Sequence, residues 1–400
     1  MKRIPVPDDW QDHSQSGESY RDAPAFDVEI AGHALRLLPS GEDRFRELVA
    51  LIDSARTSLD VFFYLFQGDY SGSTIRDALL RAALRGVDVH LIVDSFGSDA
   101  PASLFKPLQA AGGRYSVFSP RPGIRYLIRN HQKFVIVDGE RVMTGGFNVS
   151  DHYFKPPEVN GWCDLGLLVE GPVVAQFAKW FAQLEAWTAD QQAQFRSIRH
   201  LVRDWDEGDS EVQLLLGGPT RITSAWARRV KQDIARGTRL DMVMAYFSPP
   251  RSMRRLIQRL AERGRARLIM AGKSDNNATI GASRSLYRSL MRSGVEIAEF
   301  QPCKLHMKLL VIDDVSYIGT ANFDMRSIRL NLELMLRIES AELADRLREL
   351  IEHMAEHSEP VTEQWYRERA SWFNRLRWWL GRFLVTGVDY TVTRRLNLGI

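Results

Sequence analysis

Two segments of this chain place an imidazole and an ammonium two residues apart, with a carboxylate five residues further on. The first is HQKFVIVDGERVMTGGFN, from His131 to Asn148. The second is HMKLLVIDDVSYIGTAN, from His306 to Asn322. Alternate side chains of a strand share a face, so His131 and Lys133 are expected to point together, as are His306 and Lys308. The apolar runs FVIV and LLVI set each strand in a core. A turn after Asp138 or Asp313 then leads into a second short strand. That strand returns Gly146 and Asn148, or Gly319, Thr320 and Asn322, toward the histidine. Each hairpin thus offers an imidazole, an ammonium and an amide. Histidine, with an unperturbed pKa of about 6.5, serves as nucleophile, acid or base near neutrality. Lysine and asparagine donors suit anionic oxygens. A lone His-x-Lys reads as a core histidine satisfied by its neighbours; two copies at matching places in a repeat do not.

The elements that carry these hairpins repeat as well. LDVFFYLF, Leu59 to Phe66, is matched by LDMVMAYF, Leu240 to Phe247, and both read as buried strands. Each precedes a helical pattern that ends in Arg85-Gly86 or Arg263-Gly264. A glycine there suits the left-handed residue that closes a helix. Further strands follow, Val87 to Asp94 and Arg265 to Gly272, and then a helix and a short strand ending at Phe118 or Phe300. Strands alternating with helices predict an α/β fold, and two such units in one chain predict a pseudo-dimer. The acidic, glycine-containing stretch from Arg203 to Ser210 reads as the linker. The expected organisation is an N-terminal extension over 1–34, a first domain over 35–202, the linker at 203–210, a second domain over 211–360 and a tail over 361–400.

Composition narrows the function classes. The net charge of +3 is too small to argue for nucleic acid. Two cysteines, Cys163 and Cys303, do not make a disulfide scaffold and read as small strand residues. The opening MKRIPVPDDWQDHSQSGESY lacks the apolar segment of a secretory signal. No fully apolar stretch exceeds the six residues from Val61 to Phe66, against the roughly 20 that a membrane helix needs. A cytoplasmic protein, peripheral on the inner face of a membrane, is therefore expected. No cluster with metal-ligand spacing occurs, so neither a metal nor another cofactor is expected.

The paired motifs resemble the HKD motifs of the phospholipase D superfamily. The chain is more closely similar to bacterial cardiolipin synthases of the branch without N-terminal membrane helices. The resemblance runs from about Leu35 to Ser358. It rests on RAALRGVDVHLIVDSFGS (Arg81 to Ser98), RNHQKFVIVDG (Arg129 to Gly139), AYFSP (Ala245 to Pro249), AGKSD (Ala271 to Asp275) and GTANFDMRSIRLNLEL (Gly319 to Leu334). It implies two phospholipase D-like α-β-α sandwich repeats packed as a pseudo-twofold dimer, with the active site between them. It also implies phosphodiester exchange. A neutral imidazole, His131 by analogy, attacks phosphorus to give a phosphohistidine. The other imidazole protonates the leaving glycerol oxygen and then deprotonates the incoming alcohol.

The candidate catalytic residues are then His131, Lys133, Asp138, His306, Lys308 and Asp313, with the two aspartates ending their strands in a structural role. Asn148, Asn322, Gly146 and Thr320 are candidate phosphate-binding positions. Two features depart from the family pattern. Gly145-Gly146 stands where many relatives have Gly-Ser, so a hydroxyl is missing there. The second hairpin, from Asp313 to Asn322, is also one residue shorter than the first. Asp164 and Glu333 occupy equivalent places in the two repeats, and in relatives an acidic residue there holds the histidine. The implied activity is a phosphatidyltransferase making cardiolipin or a related phospholipid. The implied partners are phosphatidylglycerol and an anionic membrane surface, and the chain is expected to be monomeric. A phospholipase D that uses water shares the first step and the same residues. Nucleic acid is not an expected substrate: the small nucleases of the superfamily carry one motif per chain, and its DNA-repair branch lacks the motif aspartate.

Two weaker signals stay open. RPGIRYLIRN, Arg121 to Asn130, carries Arg121, Arg125 and Arg129 just before His131. It reads as a lip for anionic headgroups or as an ordinary solvated loop. The stretch from Gln364 to Val385 interleaves Trp365, Tyr366, Trp372, Phe373, Trp378, Trp379 and Phe383 with arginines. It reads as an interfacial helix or as a terminal helix packed on its own domain.

Overall fold

The computed structural model describes residues 7, 10, 20–119, 129–190, 195–220, 223–274 and 276–388. Most of the expected arginine lip, residues 121–128 of 121–130, lies outside the described residues. The chain divides ahead of Phe195 into two compact units.

Each unit is built on an eight-stranded mixed sheet. Across the first sheet the order is Phe26–Ile30, His33–Leu38, Gly166–Glu170, Arg141–Gly145, Lys133–Val137, Ser58–Phe63, Asp88–Asp94 and Arg114–Phe118. Across the second it is Val212–Gly217, Glu333–Glu339, Val315–Gly319, Lys308–Ile312, Arg239–Met244, Arg265–Ala271, Glu296–Phe300 and Ser358–Pro360. Seven strands take the same places in both. The first unit adds Phe26–Ile30 at one edge, and the second adds Ser358–Pro360 at the other. The repeat strands Ser58–Phe63 and Arg239–Met244 run parallel to their neighbours on one side. On the other side they run antiparallel to the motif strands.

Every residue of the motif strands Lys133–Val137 and Lys308–Ile312 is buried. Helices on both faces of the sheet account for this, and for why KFVIV and KLLVI show no polar alternation. In the first unit Phe134 meets Phe177 and Phe181 of helix Val174–Ala189. The alternate residues Val135 and Val137 join Phe45, Leu48 and Ile75, from helices Gly41–Asp53 and Tyr70–Leu84. In the second unit Leu310 and Ile312 join Val230, Ile257 and Leu286, from helices Ala225–Arg236, Arg251–Arg263 and Asn277–Met291.

The two helix-closing glycines differ. Gly86 has the expected left-handed backbone, φ +89°. Gly264 does not: its φ of −161° is extended. A Cβ on Gly264 would fall 1.9 Å from the Thr238 carbonyl oxygen, so close backbone approach, not a left-handed turn, requires glycine there.

The aromatic tail also divides. It forms helices Glu363–Arg369 and Trp372–Arg382. Trp365, Tyr366, Ala370 and Trp378 belong to the core of the second unit, whereas Trp372, Phe373, Trp379 and Phe383 are exposed. Among the described residues no helix is long and apolar enough to cross a membrane.

Candidate active site

Lys133 opens its strand opposite Phe63, and Lys308 opens its strand opposite Met244. Both motifs therefore begin at the end of the sheet where the parallel strands finish. The preceding histidine sits on the irregular segment just outside the ladder. Each lysine folds back onto its own histidine. Lys133 Nζ donates to the His131 carbonyl, and Lys308 Nζ donates to the His306 carbonyl. Lys308 Nζ also lies 2.7 Å from Nδ1 and 3.0 Å from Nε2 of His306. Both lysines are buried, and that of the second unit stands beside its imidazole.

The length difference between the hairpins is absorbed in their turns. The first spans Asp138-Gly139-Glu140, between the paired Val137 and Arg141. The second spans only Asp313-Asp314, between Ile312 and Val315. At the histidine end the registers agree: Gly145 pairs with Gly166, and Gly319 pairs with Met335. Gly146 thus corresponds to Thr320, Asn148 to Asn322 and Asp164 to Glu333.

Both carboxylates are fully buried. Asp164 accepts from the Leu165 N–H at 2.8 Å. Glu333 accepts from Thr320 Oγ1 at 2.6 Å and from Asn331 Nδ2 at 3.4 Å. Gly146 leaves the space that Asp164 fills, for a Cβ there would lie 2.3 Å from Asp164 Oδ1. Asn148 accepts from the Leu65 N–H at 3.2 Å and donates to the Tyr153 hydroxyl at 2.9 Å. The buried Asn322 Oδ1 has no hydrogen-bond partner among the described residues.

Asp138 and Asp313 stand at the other end of their strands, about 16 Å along the chain from the lysines. Each is a left-handed turn residue, φ +55° and +47°. Asp138 accepts from the N–H groups of Arg56, Thr57 and Ser58 and from the Thr57 hydroxyl. Burial pushes its carboxyl up, but these backbone donors outweigh it and hold the pKa below the ordinary value. Asp313 accepts from the N–H groups of Thr238 and Arg239 and from the Thr238 hydroxyl. Both aspartates tie the motif strand to the start of the repeat strand and do not join the histidines.

Other residues complete the half-sites. Tyr64 meets His131 edge-on with ring centres 4.8 Å apart, and Tyr246 meets His306 at 6.4 Å. Asp94, buried at the end of its strand, accepts from the Asn130 N–H at 2.8 Å and so fixes the residue before His131. Burial raises the Asp94 pKa to about 6, against the lowering effect of the Asn130, Phe96 and Gly97 N–H groups. Trp180 Nε1 donates to Gln132 Oε1 at 2.8 Å, fixing the residue after it. Arg44, fully buried, donates at 2.6 Å to the Asp164 carbonyl and at 2.9 Å to the Tyr153 carbonyl. The tyrosines were not singled out in the sequence, although each sits near the end of a repeat run, LDVFFYLF or LDMVMAYF. Arg44 also donates to the nearby Pro39 carbonyl at 2.6 Å, but its bonds to Asp164 and Tyr153 reach more than 100 residues along the chain.

Known proteins resemble this chain in sequence and in fold. The family model for the cardiolipin synthase phospholipase D-like domain matches residues 48–185 and 230–355, one stretch in each half. Cardiolipin synthase A of Pseudomonas entomophila is 30% identical over 344 residues, covering 84% of this chain and 71% of that protein. Cardiolipin synthase A of Pseudomonas fluorescens is 30% identical over 359 residues, covering 87% and 73%. Among solved structures, the phosphatidylserine synthase of Haemophilus influenzae shares the fold with a TM-score of 0.71 at 15% identity, covering 93% of this chain and 97% of that one. The polyphosphate kinase of Porphyromonas gingivalis is similar with a TM-score of 0.56 at 14% identity, covering 84% and 52%. With one sheet and one motif hairpin built twice, and relatives spanning most of its length, the chain belongs to the cardiolipin synthase family of phospholipase D-like proteins.

Proposed function

We propose that this protein is a phosphatidyltransferase that moves a phosphatidyl group from one phospholipid to a hydroxyl of another, making cardiolipin or a related lipid. The observation that carries the reading is the duplication of one histidine–lysine–carboxylate half-site on two copies of the same hairpin. Exchange at phosphorus asks for two proton-carrying groups with opposite tasks. His131, neutral, attacks phosphorus. The bond to the leaving glycerol oxygen breaks as His306 gives that oxygen its proton. The incoming hydroxyl then returns a proton to His306 and attacks the phosphohistidine, which frees His131. Lys133 and Lys308, with the amides of Asn148 and Asn322, hold the phosphoryl oxygens. Asp164 and Glu333 hold the two imidazoles in the productive tautomer.

Phosphatidylglycerol is the proposed donor and acceptor, presented by an anionic membrane on which a single chain acts peripherally at the inner face. Water in place of the alcohol would turn the same first step into hydrolysis. The test is incubation of pure protein with phosphatidylglycerol vesicles, followed by lipid mass spectrometry. Cardiolipin and glycerol are expected. Phosphatidic acid alone would make the protein a hydrolase, and an unchanged lipid would sink the reading. His131→Ala and His306→Ala should each abolish both products while the fold stays intact. Substantial turnover by either variant would show that the two half-sites do not serve one reaction.

A further inference from the structure

The last described α-helix, Trp372–Arg382, has two faces of opposite kind. One packs on helix Asn277–Met291 through small residues. A Cβ on Gly381 would lie 3.0 Å from the Ala278 carbonyl oxygen, and one on Gly281 would lie 3.5 Å from Trp378. On the other face Trp372, Leu376, Trp379 and Phe383 recur at helical spacing, with Phe373 and Leu380 beside them. All six are exposed, Trp372 at 77% and Trp379 at 56%. An apolar patch of this kind on a protein surface marks an interaction site. A cleft of about 480 Å³ between the two helices continues it, bordered by Gly281, Arg284, Arg377, Leu380 and Leu384.

The charge beside the patch gives the sign of its partner. Helix Arg251–Arg263 opens with Arg251, and Arg254 and Arg255 follow it three and four residues on along one face; its first turn has no acidic residue. The helix macrodipole disfavours cations at this end. Burial, and then the charges of Arg382, Arg251 and Arg255, lower the Arg254 pKa. Arg254 Nε is buried without a hydrogen-bond partner among the described residues. Like charges, that of Arg382 on the tail helix among them, are therefore crowded around Arg254.

The location is as informative as the composition. Met244 lies opposite both Lys308 and Met270. Helix Arg251–Arg263 starts soon after Met244, and helix Asn277–Met291 starts soon after Ala271. Gly381 abuts Ala278, in the first turn of the latter. The arginines and the C-terminal half of the exposed stripe thus stand at the same end of the second sheet as His306 and Lys308.

We infer that the exposed face of helix Trp372–Arg382, together with Arg251, Arg254 and Arg255, forms a dock for an anionic lipid surface that presents phospholipid to the half-site of the second unit. This rests on the phospholipid reading of the active site. Tryptophan favours the headgroup boundary, where its ring is buried and its N–H stays hydrogen-bonded, and arginine is attracted to anionic lipid. A second copy of the chain fits less well, because a self-complementary contact brings the same cationic cluster against itself.

The full-length protein is sedimented with vesicles of mixed phosphatidylglycerol and phosphatidylcholine, and of phosphatidylcholine alone, at low and high salt. Trp372→Ser/Trp379→Ser/Phe383→Ser should weaken binding by about tenfold or more per ring. Arg251→Gln/Arg254→Gln/Arg255→Gln should weaken it about fivefold per charge at low salt, with little effect at high salt. Both variants should turn over a short-chain, water-soluble phospholipid at the parent rate. If the aromatic variant does not fold, the arginine variant is read alone. Parent-like vesicle binding by a folded variant would overturn the dock, as would parent binding indifferent to phosphatidylglycerol. So would a parent dimer that the aromatic variant converts to monomer. A parent that docks on vesicles but turns over no phospholipid would refute the proposed function and leave the dock standing.

Discussion

Gly146 offers a sharp test of how the first half-site is assembled. In Gly146→Ala the new methyl would stand 2.3 Å from Oδ1, 2.8 Å from Oδ2 and 2.9 Å from Cγ of Asp164. Since van der Waals contact needs about an ångström more, the carboxylate has to move by about that distance. Asp164 is fully buried, and its Oδ1 accepts from the Leu165 N–H at 2.8 Å. Losing a hydrogen bond to a buried charge costs about 1.5–3 kcal/mol, and overpacking costs about 1–3 kcal/mol. The two effects overlap, so the expected destabilisation is about 2–4 kcal/mol. That is a fall in Tm of roughly 5–15 °C for a unit of this size. If Asp164 holds His131, a shift of about an ångström also lowers kcat about a hundredfold with less change in KM. The second half-site suggests the rescue. There threonine fills the equivalent position, and its hydroxyl donates to a glutamate one methylene longer, at 2.6 Å. Gly146→Thr/Asp164→Glu should therefore be more stable and more active than Gly146→Thr alone, a non-additivity expected of groups in contact. Differential scanning fluorimetry and steady-state turnover on a soluble phospholipid measure both quantities. A Gly146→Ala protein with the Tm and kcat of the parent would refute the reasoning.

Two further outcomes follow from residues around the site. Asp138→Gly keeps a residue at ease with positive φ but deletes the carboxylate that gathers the N–H groups of Arg56, Thr57 and Ser58. It should lose about 1–2 kcal/mol in urea unfolding while kcat stays within about twofold of the parent, and a folded variant without turnover would return Asp138 to the reaction. Asp94 has a folded pKa of about 6 against an ordinary 3.8. A raised carboxyl favours the folded state while protonated, so its contribution is complete below the ordinary value and is lost as pH rises through about 6, to the extent of roughly 3 kcal/mol. Unfolding free energy followed across that window should have a flatter pH dependence in Asp94→Asn than in the parent, and an identical slope would show that another group carries it.

The sequence was most legible where structure is local or repeated. The motif hairpins follow from apolar runs bounded by a turn aspartate, and the repeat strands from their composition. The equivalence of Asp164 and Glu333 follows from counting along two copies of one pattern, and the sheet register agrees with it. What was not legible depends on distant partners. Arg44 drew no notice in the sequence, yet its buried side chain joins the nearby Pro39 carbonyl to carbonyls of Tyr153 and Asp164 far along the chain. Asp94 reads as a strand end, and only the folded chain brings the Asn130 N–H to it. The glycine pair Gly86 and Gly264 shows the limit of a local rule. The same Arg-Gly signal marks a left-handed cap in one unit and a close backbone approach to Thr238 in the other. The tail shows another limit, since an aromatic–arginine mixture does not reveal which rings join a core. Here Trp365 and Trp378 do, and Trp372 and Trp379 do not.

Because the unit is built twice, each half serves as a control for the other. The devices that position the hairpin recur: a turn aspartate gathering backbone N–H groups, a lysine bonded to its own histidine's carbonyl, and a glycine pressed on the next strand. Built Cβ atoms on Gly145 and Gly319 would each fall 2.3 Å from a carbonyl oxygen, of Leu165 and Leu334 respectively. The groups that face the chemistry do not recur. Gly146 is matched with an aspartate, and Thr320 with a hydroxyl-bonded glutamate. Asn148 is engaged at both ends of its amide, whereas the Asn322 oxygen has no partner among the described residues. His131 is half-buried, and His306 is buried. Two histidines performing one identical task would gain nothing from this divergence, since any environment that suited one would suit the other. A nucleophile and a proton carrier need the same placement and different surroundings. The proposed division of labour calls for a shared scaffold with unlike reacting groups, and the Gly146–Asp164 and Thr320–Glu333 pairs differ in the way that proposal asks.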